Sequence, residues 1–252
     1  MTGVDEGAAG PPILQPGDRT DPSVVAQTGR LFAELTALWL VTNLLIRGTV
    51  ALHGAVGHDA VLAAVPLLFI YAPVLLCRWR GVDSFGYRLH IPALSDGESW
   101  LQALRLTGGV IAVILAPYLL GYHVYQTVGF GHQFGGRLPT DIALLIAHQI
   151  FFVAIPEEFF YRGYMQTRLN ERFARRFLIF GVPIGWGSVI ACVYFAFGHS
   201  LVDVQWWHFA TLFPGMVFAW MRERTGGVIA GAFFHAFCNV SVVMLDTMYG
   251  VR

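Results

Sequence analysis

Residues 141–167, DIALLIAHQIFFVAIPEEFFYRGYMQT, form an apolar run long enough to cross a bilayer, yet they carry Glu157, Glu158 and Arg162 about two thirds of the way along. A carboxylate at such a depth costs at least ~2.5 kcal/mol on insertion scales, so it needs a partner or a task. On a helix Glu158 and Arg162 are four apart and share a face, which lets them neutralise each other. Glu157 points about 100° away, leaving a second acid that this arginine does not balance by local geometry. Pro156 breaks the helical ladder just before the pair and frees a carbonyl, an irregularity tolerated where backbone lines a cavity.

The rest of the chain agrees with a membrane setting. Of its 252 residues 56% are hydrophobic and 13% charged, so length is counted in spans rather than soluble domains. Acids and bases balance at 16 each, which removes any argument for nucleic acid or a strongly acidic partner. Apolar runs fall at 31–53, 60–77, 104–125, 141–167, 178–198, 204–221 and 228–249, the first interrupted by Glu34 and Arg47. With room for a half-inserted segment after the second or third run, the expected architecture is an all-α polytopic bundle of about seven to eight spans. Residues 1–30, with Pro11, Pro12, Pro16 and Pro22 and no apolar run, are expected to be a disordered tail. Residues 31–252 are expected to form one transmembrane domain whose first run is an uncleaved anchor.

Arginine placement orients the bundle. Arg19 and Arg30, then Arg78, Arg80, Arg88 and Arg105, then Arg168, Arg172, Arg175 and Arg176, then Arg222 and Arg224 alternate with connections holding only Arg137 and Arg252. The amino terminus and the even-numbered loops are therefore expected in the cytoplasm, and with seven spans the carboxyl terminus outside. Trp206, Trp207 and His208 have the composition of an interfacial belt. No internal repeat of the transporter kind is visible. Cys77, Cys192 and Cys238 lack metal-type spacing and are expected to be core thiols.

Partners for the leftover acid come from later runs. YFAFGHS sets Phe195 and His199 on one helical face, and HAFCN does the same for His235 and Asn239. His53, His123 and His148 have the look of satisfied core histidines. A buried carboxylate can take a proton from water, and a neighbouring imidazole can orient that water. A second imidazole with an amide one turn away can offer two N–H donors to one oxyanion. Together these groups suffice for peptide hydrolysis without a nucleophilic side chain.

Glu157-Glu158-x-x-x-Arg162, Phe195-x-x-x-His199 and His235-x-x-x-Asn239, in that order on three apolar runs, resemble the CAAX protease and bacteriocin-processing (CPBP) family of glutamic intramembrane proteases. The resemblance implies that Glu157 activates water with His199, that Glu158 supports the site, that Arg162 holds the acids, and that His235 and Asn239 stabilise the oxyanion. It implies no metal and no cofactor, and a membrane-anchored protein or peptide as substrate, cut near its carboxyl-terminal tail or anchor. A bacterial inner-membrane location follows, and a myxosortase-like subgroup that processes sorting anchors is similar in kind. It leaves the substrate's identity and the oligomeric state open.

Other classes fit less well. Zinc bound by Glu157, His199 and His235 would lack HExxH or any close-spaced ligand pair. A non-catalytic scaffold or immunity protein would not need every position filled. Ser188 in GWGSV has no matched histidine for a serine protease. Depth raises one conflict. Glu157 lies about 24 Å below Asp141 and His199 about 22 Å along a helix begun at Ile184, which do not meet across about 30 Å of hydrocarbon. They meet near the midplane or its cytoplasmic half if the fourth run enters lipid nearer Ala147 or the fifth helix starts nearer Gly187.

Overall fold

The computed structural model describes residues 22–81, 96–173 and 175–251, without the side chains of Trp206 and Trp207. Helix α1 runs Pro22–Val56. A 3₁₀ turn, Asp59–Ala63, leads into α2, Ala64–Trp79, which carries Pro73 in its interior. Helix α3, Gly97–Val124, starts where the Asp96 side chain accepts the Ser99 amide at 3.1 Å, satisfying one of the four orphan donors of a helix start. It winds on as a π turn over Tyr125–Gly129.

The opening stretch is one long helix, α4, Ile142–Arg172. Its winding alternates: α to His148, π over Gln149–Ala154, α over Ile155–Glu158, π over Phe159–Gln166, then α again from Thr167. Pro156 brings no amide hydrogen to this ladder, and i→i+5 winding beside it is the kind of local widening that occurs at functional positions.

A β-hairpin follows, β1 Arg176–Ile179 and β2 Val182–Gly185, paired antiparallel with Ile179 opposite Val182. Its two turn residues, Phe180 and Gly181, have φ of 48° and 76°, the left-handed pair that a tight hairpin turn requires. Helix α5 is Trp186–Val202, a 3₁₀ turn covers Trp206–Thr211, and α6 is Leu212–Thr225. Gly226, at φ 72°, ends α6 in the left-handed conformation that glycine adopts without steric cost. Helix α7 is Ile229–Met248.

The seven apolar runs thus become seven helices among the described residues, and the all-α polytopic expectation holds. Five of them, α1, the α2 unit Asp59–Trp79, the α3 unit Gly97–Gly129, α4 and α7, are long and apolar enough to cross a membrane. Helix α5, at 17 residues, is apolar but shorter, and α6 has 14 residues. The sequence boundaries change in three places. Residues 22–30, expected to be tail, are the first turns of α1, while 1–21 lie outside the described residues. Residues 178–185, expected inside the fifth span, are hairpin, because hydropathy does not register a two-residue turn. Room for a half-inserted segment after the third run is taken by chain without regular secondary structure over 131–139, and after the second run it falls on 82–95, outside the described residues.

Two charges that interrupt the first run have partners. Glu34 pairs with Arg80, meets Arg168 Nη2 at 3.7 Å and accepts the Tyr164 hydroxyl at 3.3 Å. Arg47 donates to the Leu201 carbonyl at 2.7 Å, capping the end of α5. Arg172 donates to Thr28 Oγ1 and the Val24 carbonyl, and Gln166 and Asn170 both donate to Glu223 at 2.8 Å. The contacts of Glu34, Arg172, Gln166 and Asn170 bring the start of α1 and the ends of α2, α4 and α6 to one end of the bundle, the arginine-rich end. Ser188 is fully buried and accepts from Asn170 Nδ2 at 3.1 Å, so its hydroxyl joins α4 to α5.

One apolar core unites the helices, with Leu35, Phe69, Phe160, Tyr161, Phe195 and Phe218 all 5% exposed or less. Cys77 and Cys192 are buried and Cys238 half-buried, none of the three in a disulfide.

Candidate active site

Where α4, α5, α6 and α7 converge, Glu157, Glu158, Arg162, His199 and His235 meet. Glu158 and Arg162 are both 0% exposed, with Arg162 Nε 3.3 Å from Glu158 Oε2. The guanidinium also donates to the Gly215 carbonyl at 3.1 Å and lies over the Phe195 ring at 4.3 Å. Gly215 carries no side chain for a reason: a Cβ there would sit 3.1 Å from Arg162 Nη2. Gly231 of α7 is constrained in the same way, at 3.3 Å from Glu158 Oε2.

Glu158 has a second neighbour that its own helix could not reveal, His235 Nδ1 at 3.1 Å from Oε1. The His235 ring is held by stacking on Phe218, centroids 4.8 Å apart at 14°. With Glu158 ionised against Arg162, the carboxylate can only accept, so Nδ1 carries the hydrogen of that contact.

Glu157 stands differently. Its Oε2 lies 3.8 Å from His199 Nε2 and 3.9 Å from His235 Nε2, and it accepts no hydrogen bond from a described protein group. His199 Nδ1 is 3.0 Å from the Phe195 carbonyl. A carbonyl only accepts, so Nδ1 carries that hydrogen and the neutral ring turns a lone pair at Nε2 towards Glu157. Two acceptors 3.8 Å apart are matched by a donor with two hydrogens placed between them, and water is such a donor. Phe195 also packs edge-on against both imidazoles, at 4.5 Å from His199 and 5.6 Å from His235.

Asn239 departs from the expected arrangement. Its amide does not share an acceptor with His235; Nδ2 donates to Gln149 Oε1 at 2.9 Å. Gln149 was not singled out from sequence, and its signal was slight, a lone amide in an apolar run. Tyr161, another such residue, turns its hydroxyl to Asn43 at 3.4 Å. Helix α5 begins at Trp186, next to Gly187, which shortens its reach to His199 by about 3 Å, while α4 is helical from Ile142. The π turn over Gln149–Ala154 shortens α4 further, because more residues are wound into each turn.

Two cavities reach these residues. One, of about 270 Å³, is lined by Glu157, Tyr161, His199, Asn43, Asp203 and His208 among others. The other, of about 750 Å³ and mostly apolar, is lined by Gln149, Asn239, Tyr118, His208 and Phe237 among others. Among the described residues, no group of three or more His, Cys, Asp or Glu side chains has the arrangement of a metal site.

A helical bundle of membrane length closing on two carboxylates, two imidazoles and a guanidinium defines an integral membrane protein with a buried polar centre. Residues 139–241, which contain all six polar motif residues, match the family model described as type II CAAX prenyl endopeptidase Rce1-like, and this segment is a domain of that CPBP family. The family implies a protease, a peptide hydrolase. Nothing in the match singles out the myxosortase-like subgroup. Neither the curated proteins nor the solved structures hold a significant match to the chain.

Proposed function

We propose that the chain is a glutamate-dependent intramembrane endopeptidase acting on a membrane-anchored protein. The observation that carries this reading is Glu157 Oε2, buried, without a protein donor, and facing His199 Nε2 across 3.8 Å. A water between them gives one hydrogen to each acceptor. Glu157 takes a proton as the water oxygen attacks the scissile carbonyl, and the carbonyl π pair moves onto oxygen.

His235 and Asn239 stabilise that oxyanion. Asn239 has its second amide hydrogen uncommitted among the described residues. Because Glu158 engages Nδ1, Nε2 is the ring nitrogen that His235 turns towards that oxygen. Collapse of the tetrahedral intermediate expels the amine, which receives the proton held on Glu157. Glu158 and Arg162 fix His235 and the end of the α4 site rather than touch the substrate. The location that accompanies this reading is a bacterial inner membrane with the amino terminus in the cytoplasm.

Comparing membrane-protein carboxyl termini in cells with the wild-type chain, with Glu157→Gln and with neither identifies the substrate. Glu157→Gln is isosteric, so it should fold and insert normally while cleavage falls by at least about a hundredfold, the usual scale for a general base. Near wild-type processing by this variant refutes the mechanism.

A further inference from the structure

The site has one closed side and one open side. On α4, the stretch running from the acids towards the arginine-rich end is sealed in protein, with Phe160, Arg162, Met165, Gln166 and Leu169 at 0% exposed. The stretch running the other way is less enclosed by protein and presents apolar side chains outward, to lipid in a membrane setting, with Leu144 at 69%, Phe151 at 64% and Phe152 at 51%.

The short helices explain the asymmetry. Helix α5 ends at Val202, one turn past His199. Helix α6 begins at Leu212, one turn before Gly215, the residue that receives Arg162. Helices α4 and α7 continue beyond the site, from Glu157 back to Ile142 for at most about 22 Å and from His235 on to Met248 for about 20 Å. Between these longer walls, and beside residues of α1, α2 and α3, lies the connection 203–211. Both cavities lie there and share His208, whose Nδ1 contacts the Asp203 carbonyl at 2.8 Å.

Arginines gather at the opposite, sealed end, where Arg80, Arg168, Arg172 and Arg222 make the contacts that join α1, α2, α4 and α6. The open end has Asp59, Asp141, Asp203 and Asp246, with Arg47 and Arg137. Cytoplasmic ends of membrane proteins carry the excess of Arg.

We infer that the reaction centre is served from the extracytoplasmic side, through the gap left by α5 and α6. The substrate class is then a translocated membrane-anchored protein whose scissile bond enters from the outer face, not the tail of a cytoplasmic protein. This inference rests on the proposed function for its substrate and on the bundle alone for its sidedness.

The test separates the two. In a chain with Cys77, Cys192 and Cys238 replaced by Ala, single substitutions are placed at Val204, 72% exposed beside the gap, and at Phe180, 88% exposed at the hairpin tip. Val202→Cys reports on the smaller cavity, which it lines. Right-side-out and inside-out membrane vesicles are treated with a membrane-impermeant maleimide, or for Val202→Cys a small charged methanethiosulfonate. Val204→Cys and Val202→Cys should react at least tenfold faster in right-side-out vesicles, and Phe180→Cys at least tenfold faster in inside-out ones. The reverse pattern at Val204 and Phe180 overturns the sidedness. Labelling of Val202→Cys only from the arginine-rich side, or from neither side while Val204→Cys reacts, overturns the open gap. None of these readouts needs catalysis, so failure here leaves the Glu157 mechanism to its own test.

Discussion

Replacing Arg162 with Met isolates what the buried ion pair contributes. Both Arg162 and Glu158 are 0% exposed and 3.3 Å apart, so Arg162→Met leaves a carboxylate in the bundle interior with only His235 Nδ1 against it. Breaking one partner of such a pair costs about 3–5 kcal/mol, and the Gly215 carbonyl, deprived of its donor, adds about 1 kcal/mol. Glu158→Gln strands the guanidinium instead and costs about 3 kcal/mol on the same reasoning. If the two losses were independent the double variant would lose about 7–9 kcal/mol. Because each single change mainly exposes the other's uncompensated charge, the double variant should lose about 3 kcal/mol less than that sum, at the upper end of couplings seen for residues in contact. Equilibrium unfolding of the detergent-solubilised protein by sodium dodecyl sulfate, followed by circular dichroism, supplies all four corners of the cycle. Additive losses, or an Arg162→Met variant as stable as wild type, would refute the ion-pair account.

Three further expectations follow from particular contacts. Gln149→Leu removes the acceptor of the Asn239 amide and should lower kcat about tenfold to a hundredfold through misplacement of that donor, with KM little changed and Gln149→Glu largely rescuing; an unchanged kcat would sink the positioning role. Gly198→Ala puts a Cβ inside contact distance of the Tyr161 hydroxyl and 3.1 Å from Asn43 Oδ1, which should cost about 1–3 kcal/mol, and adding Tyr161→Phe should recover more than half of it in thermal melts; no recovery would place the strain elsewhere. Chelation of purified protein should leave cleavage unchanged, whereas stoichiometric zinc whose removal abolishes turnover would replace the glutamate mechanism with a metal-dependent one.

The helices were legible because about 20 apolar residues in a row leave the backbone little choice in lipid but to satisfy itself. That signal is blind to what happens at the edges. LIFGVPIG is as apolar as a helix, yet Phe180 and Gly181 turn it back on itself within two residues and shift the start of α5 to Trp186. Contacts within one helix were equally legible: a spacing of four announced Glu158 with Arg162. Contacts between helices were not, since nothing near Gln149 in sequence points to Asn239, and nothing near Glu158 points to His235.

Counting charges along α4 therefore went as far as local geometry allows. Two acids against one arginine required that one acid be treated differently, and the winding decides which and how. The α turn Ile155–Glu158, bracketed by two π segments, aims Glu158 between α6 and α7, where Arg162 Nε stands 3.3 Å from one carboxylate oxygen as an ion pair and His235 engages the other. The same turn aims Glu157 at the cavity beside α5, where it meets imidazole edges and no protein donor. Had the helix been regular, the pair would still lie about 100° apart, but the turn would not be set against the ends of two helices too short to cover it. Adjacent identical side chains thus acquire opposite electrostatic situations because α5 ends, and α6 begins, at their level.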